Sequence, residues 1–359
     1  MKDSLNNQCF IQAGSAISPQ ATFDSDDWSR QLIASDTNRM ECIEPAYAAF
    51  IAPNSLRRMS RLLKMGLTTA MKCLQEAGIT VPGAIITGTG KGSLQDTERF
   101  LKNIEEYSER ALNPTPFIQS TYNAINGLIA LQQQCTRYNN TFVNRGFSFE
   151  NAMLDSLLYL REHPAETVLL GAFEEMTAEH FFIKERAGYW KPGVNNLNFL
   201  QQGNTPGSIA GEGTAYFCLS NQQDSRSLAR LRDVEMLYKP GAEKLRSSLQ
   251  HFLSSNELKV EDISLLLSGE NGDARFQQYY DAVEAELGEV PKLPYKVFCG
   301  EYDTSTAFAT WMASKLMGSG ETPLTVSNLL TKPYTSLQNI LIYNNYMGDQ
   351  HSFILIQKA

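Results

Sequence analysis

The sequence predicts an α/β fold, because segments with helical and strand patterns alternate along its 359 residues. Residues 56–77 carry apolar side chains at helical spacing and are followed by Gly78, which is typical of a helix end. Short apolar segments at 83–87 and 167–171 are typical of strands buried in a sheet. A similar order of elements begins again after Ser220, which predicts two related halves.

The predicted halves span residues 1–220 and 221–359. The first half is predicted to contain helices at 56–77, 94–107, 118–134 and 150–162, and strands at 83–87, 140–144, 167–171 and 214–219. The second half is predicted to contain strands at 229–238, 263–267, 295–299, 339–343 and 352–357, and helices at 241–255, 274–287 and 304–317. Residues 191–213, rich in Gly, Asn and Pro, are predicted to form a long loop.

The composition excludes several classes of function. A net charge of −8 without a basic stretch argues against nucleic acid and anionic membrane as partners. No apolar run approaches the ~18 residues that a membrane-spanning helix needs. The N-terminal segment also lacks the apolar core of a signal peptide, so we expect a cytoplasmic location.

The cysteines and histidines predict neither a disulfide framework nor a metal centre. Six cysteines are scattered without a C-x-x-C motif, as expected for reduced thiols in a cytosolic protein. Four histidines in the whole chain make a multi-histidine metal site improbable. We therefore expect no metal and no other cofactor.

Several segments carry a family pattern. Residues 88–101 (GTGKGSLQDTERFL) combine a Gly-rich turn with a helix, and residues 113–131 (NPTPFIQSTYNAINGLIAL) are similar to a dimer-forming helix region. Residues 141–162 (TFVNRGFSFENAMLDSLLYLRE) are similar to a nucleophile strand-turn-helix, followed by strand-like segments at 168–177 and 211–220. In this order they resemble β-ketoacyl-acyl-carrier-protein synthases, specifically a divergent branch from aryl-polyene and flexirubin-type pigment clusters. The resemblance implies a thiolase-like five-layered αβαβα sandwich of two related halves.

That family extends acyl chains by decarboxylative condensation. A cysteine thiolate at a helix N-terminus accepts the acyl group, because the helix dipole favours the anion. Two histidines stabilise the enolate oxygen that develops as malonyl loses CO2, and a lysine usually supports the pair.

The positions that match this machinery carry other residues. Aligned through Asn151-Ala152, Gly146 occupies the cysteine position and has no side chain to acylate. Ser268 or Glu270 stands where the first histidine is expected, and Glu301 stands where the second is expected. Lys296 matches the family lysine. Carboxylates at these positions would oppose an enolate anion, so the triad is predicted to be lost.

The resemblance therefore implies a ketosynthase-like subunit that no longer condenses, similar to the family's chain-length factors. Its expected partners are an acyl carrier protein and a catalytic ketosynthase subunit, paired as a heterodimer across residues 113–134, or a second copy in a homodimer. A homodimeric scaffold without an acyl ligand is a further possibility.

Ser148 supports an alternative from another class, an acyltransferase or acyl hydrolase. Residues 146–150 (GFSFE) are close to the G-x-S-x-G nucleophile elbow, although Glu150 replaces the last glycine. Among the histidines, His351 alone follows a plausible acid such as Asp273, as the hydrolase order requires. The competing interpretation is that Ser148 caps a helix beginning at Glu150.

Four other features have a functional and a structural interpretation. Residues 88–93 (GTGKGS) lack the spacing of a P-loop, which favours a packed turn near the dimer interface. His351, in a predicted C-terminal loop, could supply an imidazole to the altered site or be packed. Arg145 is hypothesised to pair with Glu270 or Glu301, its alternative being a solvated loop position. The acidic pairs at 105–106 and 174–175 are predicted to lie on the surface.

Overall fold

A computed structural model describes residues 8–25 and 27–359 of the chain. Within these residues ten strands form one hydrogen-bonded sheet in the order β3-β2-β4-β5-β1-β6-β10-β9-β7-β8. The strands are β1 (Phe10–Ile17), β2 (Ala84–Gly88), β3 (Tyr138–Phe142), β4 (Thr167–Glu174), β5 (Gly213–Ser220), β6 (Ala229–Tyr238), β7 (Leu265–Ser268), β8 (Lys292–Pro294), β9 (Asn339–Tyr346) and β10 (Gln350–Gln357).

The same strand order occurs twice. Strands 3-2-4-5-1 of the first half correspond to strands 8-7-9-10-6 of the second. In each half one strand is parallel to two neighbours, β2 to β3 and β4 and β7 to β8 and β9, while the other pairings are antiparallel. The halves join where β1 meets β6, over the pairs Phe10–Arg230 and Ile11–Ala229. The division of the chain into domains at residue 220 stays a prediction.

Helices complete the layers. They are α1 (Pro53–Leu56), α2 (Arg61–Ala77), α3 (Leu94–Glu106), α4 (Pro114–Gln119), α5 (Ala124–Gln132), α6 (Ser148–Glu162), α7 (Ala178–Arg186), α8 (Ala242–Ser255), α9 (Gln277–Leu287), α10 (Lys296–Cys299), α11 (Ser305–Ser319) and α12 (Leu324–Ser327). Helices α2 and α5 cover the outer face of the first half, and α8 and α9 that of the second. Helices α6 and α11 lie between the halves, which gives the predicted αβαβα sandwich.

The main core lies in this central layer. Trp311, on α11, is fully buried against Trp28 and donates its indole N–H to the carbonyl of Gly14 at 3.2 Å. Because β9 and β10 are covered on both faces, every residue of β9 is buried. Their side chains alternate between the central cluster and the cluster under α8 and α9.

The structure corrects several predicted elements. The segment 295–299 is not a strand, because the strand is β8 and the chain turns into α10 immediately after it. In place of the single buried helix predicted at 118–134 the chain forms two short helices, α4, which is mostly exposed, and α5, which is partly buried. Strand β1 and helix α7 were not predicted. None of the described helices combines the length and hydropathy needed to cross a bilayer.

Candidate functional site

The candidate site lies where the two halves meet. Gly146 follows β3 in a short 3-10 turn (Arg145–Phe147) that leads into α6. The hairpin between β9 and β10 approaches this turn from the second half, and the side-chain carbonyl of Gln350 accepts a hydrogen bond from the Gly146 N–H at 2.8 Å. Gln350 also donates to the carbonyl of Asn144 at 3.1 Å. These contacts fix the turn against the hairpin.

The space beside Gly146 is filled by Tyr346. A Cβ added at position 146 would lie 2.4 Å from the Tyr346 Cβ and 2.6 Å from its Cγ, closer than nonbonded carbon atoms approach. The Tyr346 hydroxyl donates to the carboxylate of Asp303 at 2.9 Å, and Lys91 forms an ion pair with the same carboxylate. Position 146 therefore has no side chain and no room for one.

A buried ion pair occupies the place of the second histidine. The Lys296 ammonium lies 2.7 Å from the Glu301 carboxylate, and both side chains are about as buried as any in the molecule. Asn271 donates its side-chain amide to the same Glu301 oxygen at 2.7 Å. The other carboxylate oxygen, Oε1, has no hydrogen-bond partner among the described residues. The structure thus brings Lys296 and Glu301 together.

The two candidates for the first histidine position, Ser268 and Glu270, lie in different surroundings. Ser268 is buried and its hydroxyl accepts the backbone N–H of Glu270 at 3.3 Å. The Glu270 carboxylate lies 3.1 Å from Lys292, near the surface. The hydrogen bond that reaches Glu301 from this loop comes from Asn271, which sequence reasoning missed. Its position in the loop after β7 was the available signal.

The hypothesised pairing of Arg145 with Glu270 or Glu301 is wrong. Arg145 is half-exposed, lies 3.5 Å from Asp349 and stacks over the Tyr346 ring, 5.4 Å from its centroid. Its φ of +52° belongs to the left-handed region, which directs the turn sharply into α6. The ion pair that fills the former site is made by Lys296 instead.

Ser148 is neither exposed nor aligned with a base. Its hydroxyl donates to the Arg145 carbonyl at 2.7 Å and accepts the Asn144 N–H at 2.8 Å, and the residue is fully buried. The predicted cap of a helix starting at Glu150 is also incorrect, because α6 begins at Ser148 itself. The Ser148 hydroxyl therefore stabilises the turn at residues 144–148 and does not cap the N-terminus of a helix.

Glu150 is a second buried carboxyl that sequence reasoning did not place in the site. Its Oε1 accepts the Ser352 hydroxyl at 2.8 Å, whereas its Oε2 has no partner among the described residues. Burial raises the pKa of Glu150 to about 7, despite the opposing effects of Ser352 and of the nearby Lys296 charge. The site therefore holds a carboxyl that titrates near neutrality.

His351 is packed outside the site. It lies in β10, not in a loop, and its side chain faces the opposite side of the strand from Ser352. Its ring nitrogens contact the Tyr343 hydroxyl at 2.9 Å and the Gly348 carbonyl at 3.2 Å. Burial lowers the pKa of His351 to about 4, so the ring is neutral at neutral pH.

The Gly-rich turn after β2 is tied into the protein interior. The Thr89 hydroxyl and the Gly90 N–H both donate to Glu174, and Gly92 lies against the Tyr122 ring. The pair Glu174-Glu175 is buried, which corrects its predicted surface position, and burial raises both pKa values. The pair at 105–106 is exposed as predicted.

The described residues contain no cluster of three or more His, Cys, Asp or Glu side chains arranged to hold a metal ion. All six cysteines are free, and none lies in the turn at Gly146. Position 146 carries no side chain, and the Glu301 carboxylate is paired with Lys296.

The fold is that of a thiolase-like, ketosynthase-type protein. A family model described as the β-ketoacyl synthase N-terminal domain matches residues 26–205, and the chain belongs to this family. A search of curated protein sequences finds no significant match.

Solved structures share the whole fold at low identity. The ishigamide ketosynthase/chain length factor is 14% identical with a TM-score of 0.77, covering 98% of this chain and 99% of its own. A ketosynthase in complex with its chain length factor from Xenorhabdus doucetiae is 12% identical, with a TM-score of 0.74 and 98% coverage of both chains. A type II polyketide synthase acyl-carrier protein in complex with its ketosynthase is 13% identical, with a TM-score of 0.72, and the match covers 98% of this chain and 99% of that one.

The buried carboxyl of Glu150 predicts a pH dependence of stability. The pKa of Glu150 in the folded state is about 7, above the ordinary 4.5. Its protonated carboxyl therefore contributes fully to the free energy of unfolding below about pH 4.5, and this contribution is lost as the pH rises through about 7. Glu150→Gln removes this titration. Thermal unfolding should show that the free energy of unfolding of the native protein falls between about pH 5 and pH 8. In the variant this fall should be smaller by up to about 3 kcal/mol.

The control for this experiment is Glu106→Gln, which changes an exposed carboxyl on α3. It should reproduce the pH profile of the native protein. Identical profiles for the native protein and Glu150→Gln would contradict the assignment of a raised pKa to Glu150.

Proposed function

We propose that this protein is a ketosynthase-like subunit of fatty-acid or polyketide-type biosynthesis that does not condense and acts like a chain-length factor. One observation carries the proposal: position 146 has no side chain, and Tyr346 fills the space a nucleophile would need. A cysteine thiolate cannot be replaced by a backbone N–H, and that N–H is already bound to Gln350.

The residues around this position support the same role. Glu301 stands where an enolate-stabilising imidazole is expected, and its negative charge is balanced by Lys296 rather than being available to a substrate. The alternative, an acyltransferase or hydrolase that uses Ser148, is disfavoured because both hydrogen-bonding directions of that hydroxyl are used by backbone groups. A subunit of this kind would depend on an active β-ketoacyl synthase for chemistry.

The surface around β3 supports pairing with such a synthase. Strand β3 lies at the end of the sheet and pairs with β2 alone, so its other edge is open to another chain. Large apolar side chains in and beside this region are at least two-fifths exposed: Phe117, Ile118, Tyr122, Leu131, Tyr138 and Val143. We call these six side chains the β3 face. Exposed apolar groups beside an open strand edge are typical of a protein interface.

A basic cavity supports docking of an acidic carrier protein. A cavity of about 290 Å³ between α2, α3 and α4 is lined by five cations, Arg57, Arg58, Arg61, Lys64 and Arg99, and by the single acid Asp96. Within the described part of the chain, no salt bridge engages Arg57, Arg58 or Arg99. This local positive charge stands out in a chain of net charge −8 and would steer an acidic partner.

The absence of acyl-enzyme chemistry is testable by intact mass. The purified chain, incubated with an acyl-carrier-protein thioester or an acyl nitrophenyl ester, should gain no acyl group, because neither Gly146 nor Ser148 offers a free nucleophile. An adduct that Ser148→Ala abolishes would establish the acyltransferase or hydrolase alternative instead. Gly146→Cys should react with iodoacetamide at that thiol when combined with Tyr346→Gly, which removes the Cβ that lies 2.4 Å from a Cβ at position 146, and much less without it.

The β3 face is tested by one pair of substitutions. Ile118→Asp should weaken co-purification with the cysteine-bearing synthase by roughly tenfold or more, because it places a charge in the contact. Ile183→Asp on α7 is the matched control, since Ile118 and Ile183 are 62% and 63% exposed. Equal losses for both variants, or none for Ile118→Asp, would contradict the assignment of the interface to β3.

The basic cavity is tested by charge reversal. Arg57→Glu with Arg58→Glu should weaken carrier-protein binding by roughly tenfold at low salt, and by less at high salt, because screening removes the electrostatic part. Arg246→Glu with Lys244→Glu on α8 applies the same change of charge elsewhere on the surface. Binding is measured by calorimetric titration. If the α8 variant binds the carrier protein more weakly than the Arg57/Arg58 variant, the assignment of the docking site to the cavity is contradicted.

A further inference from the structure

Lys191 is a buried cation that forms no salt bridge with any carboxylate of residues 8–25 and 27–359. Its residue is 2% exposed, and the ammonium donates hydrogen bonds to three backbone carbonyl oxygens. These belong to Gln202 at 2.5 Å, Thr205 at 3.0 Å and Gly272 at 2.6 Å. The neighbouring carboxylate of Asp273 is paired with Arg275 instead. The charge is therefore held by peptide dipoles at hydrogen-bond distance, and the nearby Asp273 carboxylate also favours it.

The oxygens form a cage of a recognisable chemical type. Carbonyl oxygens can replace the hydration shell of a monovalent cation such as K⁺, whereas Ca²⁺ and Mg²⁺ sites usually include carboxylates. An ammonium group supplies three donors and a single charge, which matches three carbonyls. Without the ammonium, the Gly272 carbonyl would be a buried acceptor with no partner among the described residues, which is unfavourable. The Gln202 and Thr205 carbonyls would keep only the bonds that they accept from Thr205 and from the Ala274 N–H.

We propose that this carbonyl cage is a monovalent-cation site that the chain fills with its own Lys191 ammonium, and that removing the ammonium turns it into a site for free ammonium or K⁺. The inference is independent of the proposed function, since it concerns the cage formed by three segments of the backbone and not the acyl chemistry.

The cage joins segments that are distant in sequence. Gln202 and Thr205 lie in the long loop before β5, and Gly272 lies in the loop after β7. The same two loops are joined by the Ala274 N–H, which donates to the Thr205 carbonyl at 3.1 Å. Gly272 follows Asn271, whose amide binds Glu301. Lys191 is thus a positioning residue for the loop that supports the buried ion pair.

The test uses the full chain with Lys191→Met, which keeps most of the side-chain volume, and Lys191→Ala, which leaves room for a free ion. Thermal unfolding is measured in ammonium, potassium, sodium and tetramethylammonium chloride at equal ionic strength. We expect both variants to lose several degrees in Tm in tetramethylammonium. Lys191→Ala should regain at least half of that loss in ammonium or K⁺, with less in Na⁺, and Lys191→Met should regain little.

Crystals of Lys191→Ala soaked in rubidium chloride provide a readout independent of stability, because an anomalous peak should lie between the three carbonyl oxygens. Lys332→Met, which removes a surface cation paired with Glu289, is the control and should show no ion-specific change. Two outcomes would overturn the proposal: an unchanged Tm in both Lys191 variants, or a loss in Lys191→Ala that no monovalent cation reverses together with no rubidium peak.

Discussion

The buried ion pair between Lys296 and Glu301 is the interaction around which the site is organised. Burying two charges costs several kcal/mol per ion, so such a pair persists only where further hydrogen bonds satisfy it. Asn271 provides one of these bonds, and the loop that carries Asn271 is held in turn by the Lys191 ammonium. Glu150 lies close enough for the Lys296 charge to lower its pKa, but Lys296 is already paired with Glu301. Burial therefore dominates and keeps the pKa of Glu150 raised.

Internal contacts fill the space around the turn at Gly146. Gly146 contributes only its N–H, Tyr346 and Gln350 enter from the opposite half, and Asp303 and Lys91 hold the tyrosine in place. The contacts that position this turn do not depend on a nucleophilic side chain at position 146, so the thiolase-like architecture does not require one there. This separation of fold from chemistry is general, since function resides in the site rather than in the scaffold.

Much of the fold could be predicted because periodicity and glycine stops are local signals, as at α2 with Gly78. Strand β1 escaped prediction because it is buried on both faces, so its sequence FIQAGSAI shows no alternation. The family pattern drew attention to Gly146, Lys296 and Glu301, and their correspondence to the family's site positions stays a prediction. The roles of Tyr346, Gln350, Asn271 and Lys191 could not be predicted, because each depends on a contact between residues far apart in the chain, which no single-sequence pattern records.

The position of β1 has a consequence for how the protein is made. Strand β1 comes before the other nine strands of the sheet in the chain, yet its sheet neighbours, β5 and β6, lie about two hundred residues later. The other neighbour of β6 is β10, which lies about a further hundred residues along the chain. Neither half can close its sheet until its last strand has left the ribosome, and such non-local pairing is slow. During translation the nascent chain carries an apolar strand without a partner. We expect its yield in cells to depend on chaperones that shield that strand during synthesis.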